Sequence, residues 1–504
     1  MKRPRWSWLA VAMMVTVTPA TATNGYFAHG HGASQRAMGG AGTAMAEDAF
    51  AVTGNPAAGV WVGDALDATF TLLVPVRDYS ATARGEGAGP GLFTIGQVDG
   101  LRSRRERFYV PGVAFARRAG RAHAWGLAVY ANGLNTVYPG NAARFAKRIP
   151  LLTAECEGTF GGGAPVVGGP PDVAGLCGND SPLTGVDLAQ VLVVPHYSRR
   201  LGRRWSLGIS PVLAVQRFEA KGLSAFAAFS NAPGQVSDRD MEYSFGGGVR
   251  VGVFGLPVDW LALGASFQSR IDMQPFDAYA GLFPEQGAFD IPSTWNVGFA
   301  LLLPGRQRLA LDFQRIGYRD VPIFRNGVEP EAFVNGCLLP RLLAAQTGGL
   351  LGDGGPSRSC LGGDGGPGFG WRNVGVLKVG YQVVLGSFVL RAGYSRSDTP
   401  IVPEHVLFNI VAPGVPDEHF TAGFSFRMSS ALSVDVAAMY APANPVRGPN
   451  PLSHVDAGLV RILGGAALPG LTEGDAIYGA DPQDQEVEVD MYQLELTVGI
   501  GYRF

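Results

Sequence analysis

Charge is scarce in this chain. Only 16% of its 504 residues are Asp, Glu, Lys or Arg, and the net balance is −2; a soluble domain carries about a quarter. A basic surface for nucleic acid is not implied by such a balance. Long apolar runs are missing too. Beyond the first 22 residues, no stretch free of charges, Gly and Pro approaches the roughly 20 residues that a membrane-spanning helix needs. Cysteine is limited to Cys156, Cys177, Cys337 and Cys360, and there are seven His. The clustered Cys and His of a zinc site are absent, and no His adjoins a nucleophile motif of the kind used in covalent catalysis. Disorder is excluded from the other side, because 46% of residues are hydrophobic and 10% aromatic. What the chain has in excess is Gly, 72 residues, together with 35 Pro. High Gly, many aromatics and little charge fit turns and half-buried strands.

The first 22 residues read as a signal peptide. Lys2, Arg3 and Arg5 form the positive start, Leu9 to Val17 a short apolar core, and Ala20-Thr21-Ala22 a cleavage site, so the mature chain is expected to begin at Thr23. The alternative, a membrane anchor, needs a longer apolar run. An exported chain without spanning helices enters a membrane only as a closed barrel, since lipid leaves no backbone polar group unsatisfied. Export also brings the thiols into an oxidising compartment. The four Cys fall as two close pairs, so disulfides Cys156–Cys177 and Cys337–Cys360 are expected.

Alternation supports the barrel. From Tyr492 to Phe504 the even positions are apolar (Tyr492, Leu494, Leu496, Val498, Ile500, Tyr502, Phe504), and the odd ones polar or small (Gln493, Glu495, Thr497, Gly499, Gly501, Arg503). Ten residues at ~3.3 Å, tilted about 45°, rise roughly 23 Å, close to the apolar band of an outer-membrane barrel. A soluble sandwich alternates similarly, but the terminal Phe resembles the end signal of outer-membrane barrels. The same pattern recurs at 309–314, 377–383, 420–427 and 432–439. Fourteen strands are expected, near 65–82, 107–119, 124–138, 186–201, 205–222, 241–257, 260–277, 291–307, 308–322, 371–387, 388–402, 419–428, 432–442 and 487–504. Connections alternate long and short, as outer loops and periplasmic turns do. The long ones include 139–185, 323–370 and 443–486, and both Cys pairs fall in two of them. Residues 23–63 do not alternate; their length suits an internal plug or an N-terminal extension.

The stretch Asn24–Gly59 resembles the N-terminal signature of the FadL/TodX family of outer-membrane transporters for hydrophobic compounds. The resemblance is carried by Gly30-His31-Gly32, Arg36-Ala37-Met38-Gly39-Gly40-Ala41-Gly42, Asp48-Ala49 and Asn55-Pro56-Ala57, with a second match at Trp125–Tyr138. It is dense to about residue 140 and rests beyond that on strand pattern and the terminal Phe. It implies an all-β, fourteen-stranded antiparallel barrel (64–504) with an N-terminal plug or hatch (23–63). It also implies a monomer in the outer membrane of a Gram-negative bacterium, with both termini on the periplasmic side and outer-membrane lipid and lipopolysaccharide around it. The cargo of such proteins is hydrophobic, long-chain fatty acids foremost and aromatic hydrocarbons otherwise. It passes from an outer-loop groove to an internal pocket and leaves sideways near a kinked third strand. No cofactor or metal is implied, and no nucleic acid.

Each candidate residue has a plainer alternative. Gly39, Gly40, Gly42 and Asp48 belong to the plug signature, and Asp48 is also a candidate helix cap. Asn55-Pro56-Ala57 closes the plug or is an ordinary Pro turn. Asn132-Gly133 marks either the kink that opens the wall or a register bulge. Tyr26 and Phe27 reach the pocket or form a loose tail. Lys378, Arg391 and Arg427 receive a carboxylate, or join Asp312, Asp435 and Glu495 in a ladder of ion pairs. His29-Gly30-His31 is a weak metal pattern, with plug packing the plainer account. Against the transporter stand a plugged porin-like channel for small solutes, a lipid-ester enzyme and a surface adhesin.

Overall fold

The computed structural model describes residues 24–82, 95, 97–139, 183–341, 355–453 and 485–504. The expected leader, Cys156 and Cys177 lie outside the described residues, as does most of 139–185 and 443–486.

Fourteen antiparallel strands close into one barrel. In chain order they are β1 (Ala65–Ala81), β2 (Phe108–Ala119), β3 (His123–Pro139), β4 (Leu183–Leu201), β5 (Trp205–Lys221), β6 (Glu242–Val258), β7 (Leu261–Gln268), β8 (Ser293–Leu303), β9 (Gln307–Gly317), β10 (Val374–Leu385), β11 (Phe388–Ser397), β12 (Glu418–Arg427), β13 (Leu432–Ala441) and β14 (Glu486–Arg503). Each pairs with its neighbours in sequence, and β1 closes the ring against β14 from Ala65↔Arg503 to Ala81↔Val487. Closure leaves no sheet edge in lipid. Three short strands, Val98–Arg102, Asp272–Met273 and Val446–Pro449, extend the wall at β1, β6 and β14.

The alternation turns the soluble rule inside out. Along β14, Leu494, Leu496, Val498, Ile500 and Tyr502 are exposed, whereas Gln493, Glu495 and Thr497 are buried. Apolar side chains on the outer face and polar ones within are what a membrane barrel requires. Connections at one end are tight (120–122, 202–204, 259–260, 304–306, 386–387, 428–431), and those at the other are long. The 318–373 connection contains the disulfide Cys337–Cys360.

Three expected strands are too long. The wall stops at Gln268, Gly317 and Ser397 rather than at 277, 322 and 402. Ile271, Met273 and Phe276 are buried; Ile271 and Met273 pack against inner-face side chains of the wall such as Tyr130, Leu192 and Val212, and Phe276 joins the larger cluster with the loop aromatics. An apolar residue there satisfies an inward core rather than lipid.

One interface in the ring is incomplete. The β2–β3 ladder runs only from Ala119↔His123 to Val113↔Val129. β3 continues to Pro139 fully paired with β4, and β2 continues to Phe108 paired with β1. No register shift interrupts β3–β4 at Asn132↔Gln190 or Gly133↔Ala189, so the register-bulge reading of Asn132-Gly133 is corrected. The irregularity is on the other edge of the strand.

Candidate functional site

The inner face of the wall carries glycines where the N-terminal segment lies. An added Cβ at Gly264 would meet the Thr43 backbone, and one at Gly393 the backbone of Met38 and Gly39. Bare positions of this kind let backbone approach backbone. The segment then binds the wall on nearly every side. Asp312 of β9 accepts from Gly42 N and Thr43 N, both at 2.8 Å. Asp67 of β1 accepts from Ala49 N at 2.7 Å. Thr421 of β12 accepts from Gly39 N at 2.8 Å. Ser206 of β5 donates to Ala57 O at 2.8 Å. Arg36 is paired with Glu495 of β14.

The signature residues have distinct parts in this docking. Asn55 donates to Thr43 O (3.0 Å) and to Val253 O of β6 (2.9 Å), while its Oδ1 accepts from Ala57 N (3.1 Å) and caps the turn Pro56–Ala58. Gly40 has φ +82°, and a Cβ there would collide with His29 O. Asp48 does not cap the helix Ala51–Gly54 with its side chain; its carbonyl accepts from Ala51 N at 3.1 Å. Burial, with Asp67 and Asp435 near, pushes the Asp48 carboxyl up to about 7. His29 and His31 are held well below the usual histidine range, first by burial and then by Arg36. His29 contacts Arg36 O at 3.3 Å, and the His31 ring lies 3.9 Å from that of Tyr130. The expected ion-pair ladder is thus replaced by side chains that hold the segment: Asp312, Glu495 and also Lys378, whose Nζ donates to His29 O at 2.9 Å.

Three spaces follow one another along the barrel. At the long-loop end lies a chamber with a cavity volume of about 100 Å³. Its wall comes from strand ends (Tyr79, Leu134, Phe218) and from the loops above (Phe283, Phe324, Trp371). Among the described residues, no charged side chain lines it. Tyr26 belongs to this wall, its ring stacked 5.5 Å from Phe324, which stacks in turn 5.0 Å from Trp371. Beneath Tyr26 is a polar cavity of about 50 Å³, bordered by Phe27, His31, Asn132, Arg250 and Lys378. Tyr26 and Phe27 therefore form the partition between the two. Past the docked segment, at the short-turn end, a vestibule of about 260 Å³ is lined by Glu47, Asp48, Asp67, Arg391, Arg427 and Arg503, among others.

Of the three cations singled out in the sequence, only Lys378 faces a space next to the chamber. Arg391 is bound to Gln382, Ser425 and Glu47, and Arg427 reaches Gly386 O at 3.3 Å, both at the short-turn end. Arg250 was not legible beforehand. It donates to Thr53 O, to Tyr130 Oη (2.9 Å) and to Gln268. The loop aromatics were missed as well: Phe283 and Phe324 stand outside the expected strands, and Trp371, expected to open the strand 371–387, lies in the loop before β10.

A closed wall with an apolar outer face, an N-terminal segment bolted across its lumen and an uncharged chamber above define a plugged β-barrel of the outer-membrane type. Its fold is that of the FadL/TodX barrels. The *Pseudomonas putida* toluene transporter TodX aligns over 94% of this chain and 99% of its own, at 14% identity and a TM-score of 0.56. A *Pseudomonas aeruginosa* FadL homologue aligns over 95% and 100%, at 14% identity and 0.59. The *Ralstonia pickettii* toluene transporter TbuX aligns over 94% and 99%, at 15% identity and 0.51. No protein-family model and no curated protein matches the sequence.

Proposed function

We propose that the chain is a passive transporter of hydrophobic compounds in the outer membrane of a Gram-negative bacterium. In this reading residues 1–22 are removed on export, residues 23–63 form the plug, and the mature monomer faces the periplasm with both termini and its short turns. The observation that carries it is the uncharged, aromatic-rich chamber between the long loops and the docked segment. Such a wall gives an apolar solute what water denies it, and apolar burial contributes on the order of 0.8 kcal/mol per CH₂.

Uncharged hydrophobes, aromatic hydrocarbons among them, suit this chamber better than fatty acids, because a carboxylate would meet no cation in its wall. The TodX and TbuX neighbours are themselves toluene transporters. Long-chain fatty acids remain the second reading. The polar cavity under Tyr26 and Phe27 offers Arg250 and Lys378 to a carboxylate whose tail fills the chamber. The anchored segment shuts the direct way to the periplasm, so release runs sideways through the interval where β2 and β3 lack a ladder. Leu134 brings the chamber, and Asn132 the polar cavity, to that interval.

The test is equilibrium binding of toluene and of a long-chain fatty acid to the detergent-purified chain, with Phe324→Ala as comparison. Saturable toluene binding weakened by Phe324→Ala supports the reading, and tighter fatty-acid binding that depends on Arg250 favours the second. Binding of neither, with steady ion conductance in planar bilayers, would replace it by the porin-like channel.

A further inference from the structure

Arg77 stands at the upper end of the incomplete β2–β3 interface. It lies on the inner face of β1 and is 1% exposed. One guanidinium nitrogen donates to Asn135 O, on β3, and the other to Arg105 O, in the chain just before β2. Its Cζ sits 5.4 Å from the centre of the Phe108 ring, the first residue of β2. Both of its hydrogen-bond acceptors are backbone carbonyls, and among the described residues no carboxylate is paired with it. A buried guanidinium is costly unless its hydrogen bonds are needed, and here they tie Asn135 of β3 to Arg105, two segments that no sheet ladder joins.

Above Arg77 the stitching continues. Arg104 N donates to Val137 O at 2.7 Å, and Val137 N donates to Ser103 Oγ at 3.0 Å. Below it, the first β2–β3 rung is Val113↔Val129. The interval is therefore a bounded window along Tyr130–Leu134, roughly 16 Å of strand at ~3.3 Å per residue. It is screened by overlap of the wall. Val110 shares the inner-face parity of Ala114 and Ala116, yet it clusters with Ala131 and Val191, which stand on the outer-face parity of β3 and β4. This part of β2 covers β3 from outside, so opening requires the two to part.

We propose that Arg77 is the positioning residue that fixes the upper rim of this window and so sets the largest cross-section of hydrophobe that leaves through it. The proposal rests on the lateral-exit reading given above. Planar guanidinium geometry matters, because one side chain must span two carbonyls and an aromatic face at once.

The experiment measures uptake of toluene and of the wider pyrene by cells of a Gram-negative host without such a channel. Rates are normalised to folded, heat-modifiable barrel. Arg77→Leu is expected to raise the pyrene-to-toluene ratio by about a hundredfold, the lower end of the shift that loss of its two charge-assisted hydrogen bonds gives a two-state closure. Arg77→Lys, which keeps the charge but cannot span both carbonyls, should give an intermediate ratio and serves if the leucine variant fails to fold. An unchanged ratio in folded variants overturns the role of Arg77. A Val110→Cys/Ala131→Cys cross-link separates that failure from failure of the exit itself. If the oxidised pair stops uptake of both compounds while the Arg77 variants change nothing, the window stands and Arg77 does not set it. If the oxidised pair leaves uptake intact, lateral exit falls and the proposal falls with it.

Discussion

Replacing Asp312 by Ala removes one carboxylate and orphans two amides. Its Oδ2 accepts from Gly42 N and Thr43 N at 2.8 Å each, and it faces Lys378 across the β9–β10 pair. Hydrogen bonds to a charged group contribute about 1.5–3 kcal/mol apiece, so the loss is on the order of 3–6 kcal/mol before relaxation. Other anchors survive: Asn55 on β6, Thr421 on β12 and Arg36 on β14. The segment should therefore loosen around residues 40–45 and stay bound elsewhere. At about 1.4 kcal/mol per factor of ten, local opening becomes roughly 10²–10⁴ times more frequent. Two assays read it. Amide exchange at Gly42 and Thr43 should accelerate by that factor, and a nearly silent planar-bilayer trace should acquire brief openings. Asp312→Asn, which keeps an acceptor oxygen, should fall between. Unaltered exchange at both amides in a folded Asp312→Ala protein would refute the reasoning, since it would mean that the segment is held without this carboxylate.

Two other perturbations act at opposite ends of the lumen. Asp48 has its carboxyl pushed up to about 7 by burial and by Asp67 and Asp435, with Arg503 opposing and Arg391 nearby. A carboxyl raised on folding stabilises the folded form relative to its ionised state at low pH. That contribution is complete below the unfolded value near 4 and is lost as pH rises through 7. The segment should accordingly seat more weakly at pH 8 than at pH 6, visible as a lower protection factor at Ala49 N once the intrinsic, hydroxide-catalysed rise in exchange is divided out, and Asp48→Asn should remove the difference; a change in protection that survives in Asp48→Asn would assign it elsewhere. At the other end, Cys337–Cys360 closes a stretch with a sequence separation of 23, and Leu361, Phe369 and Trp371 of the chamber wall follow directly. Cross-links of this span contribute about 3 kcal/mol through the unfolded chain, so Cys337→Ser/Cys360→Ser should lower the thermal midpoint and speed toluene release from the chamber, whereas an unchanged release rate would detach the disulfide from the roof.

The wall was legible because lipid imposes one rule along its whole length. An outward position in β14 or β12 must be apolar, so alternation reports membrane contact directly, and most strand ends fell within three residues of those expected. Legibility failed where a second surface competes for apolar side chains. Met273 and Phe276 looked like more of β7 because periodicity does not distinguish a residue facing lipid from one facing a chamber. Chamber aromatics such as Phe324 and Trp371 come from loops, whose fold no period encodes. The charged inner residues were visible as inward-facing, but their partners were not. Asp312 and Lys378 bind backbone atoms of residues 29–43, and a backbone acceptor or donor leaves no mark in composition.

The same division explains how one chain combines a firm seal with a route for greasy solutes. The anchors on residues 36–57 are mostly backbone groups held by buried side chains, beneath glycines that admit no intervening layer. A seal of this kind yields only when several bonds break together. The chamber above is held by apolar contact, which tolerates ligands of different shape because dispersion and burial are not directional. Between them, β3 keeps its ladder to β4 and lacks one to the upper half of β2. Opening that interval breaks no ladder hydrogen bond between β2 and β3. Opening there costs contacts such as Val110 on Ala131, which are individually weak, whereas opening the floor costs buried charges and amides. On the transport reading proposed above, the lowest barrier for an apolar solute points sideways, into hydrocarbon, where the solute is already stable.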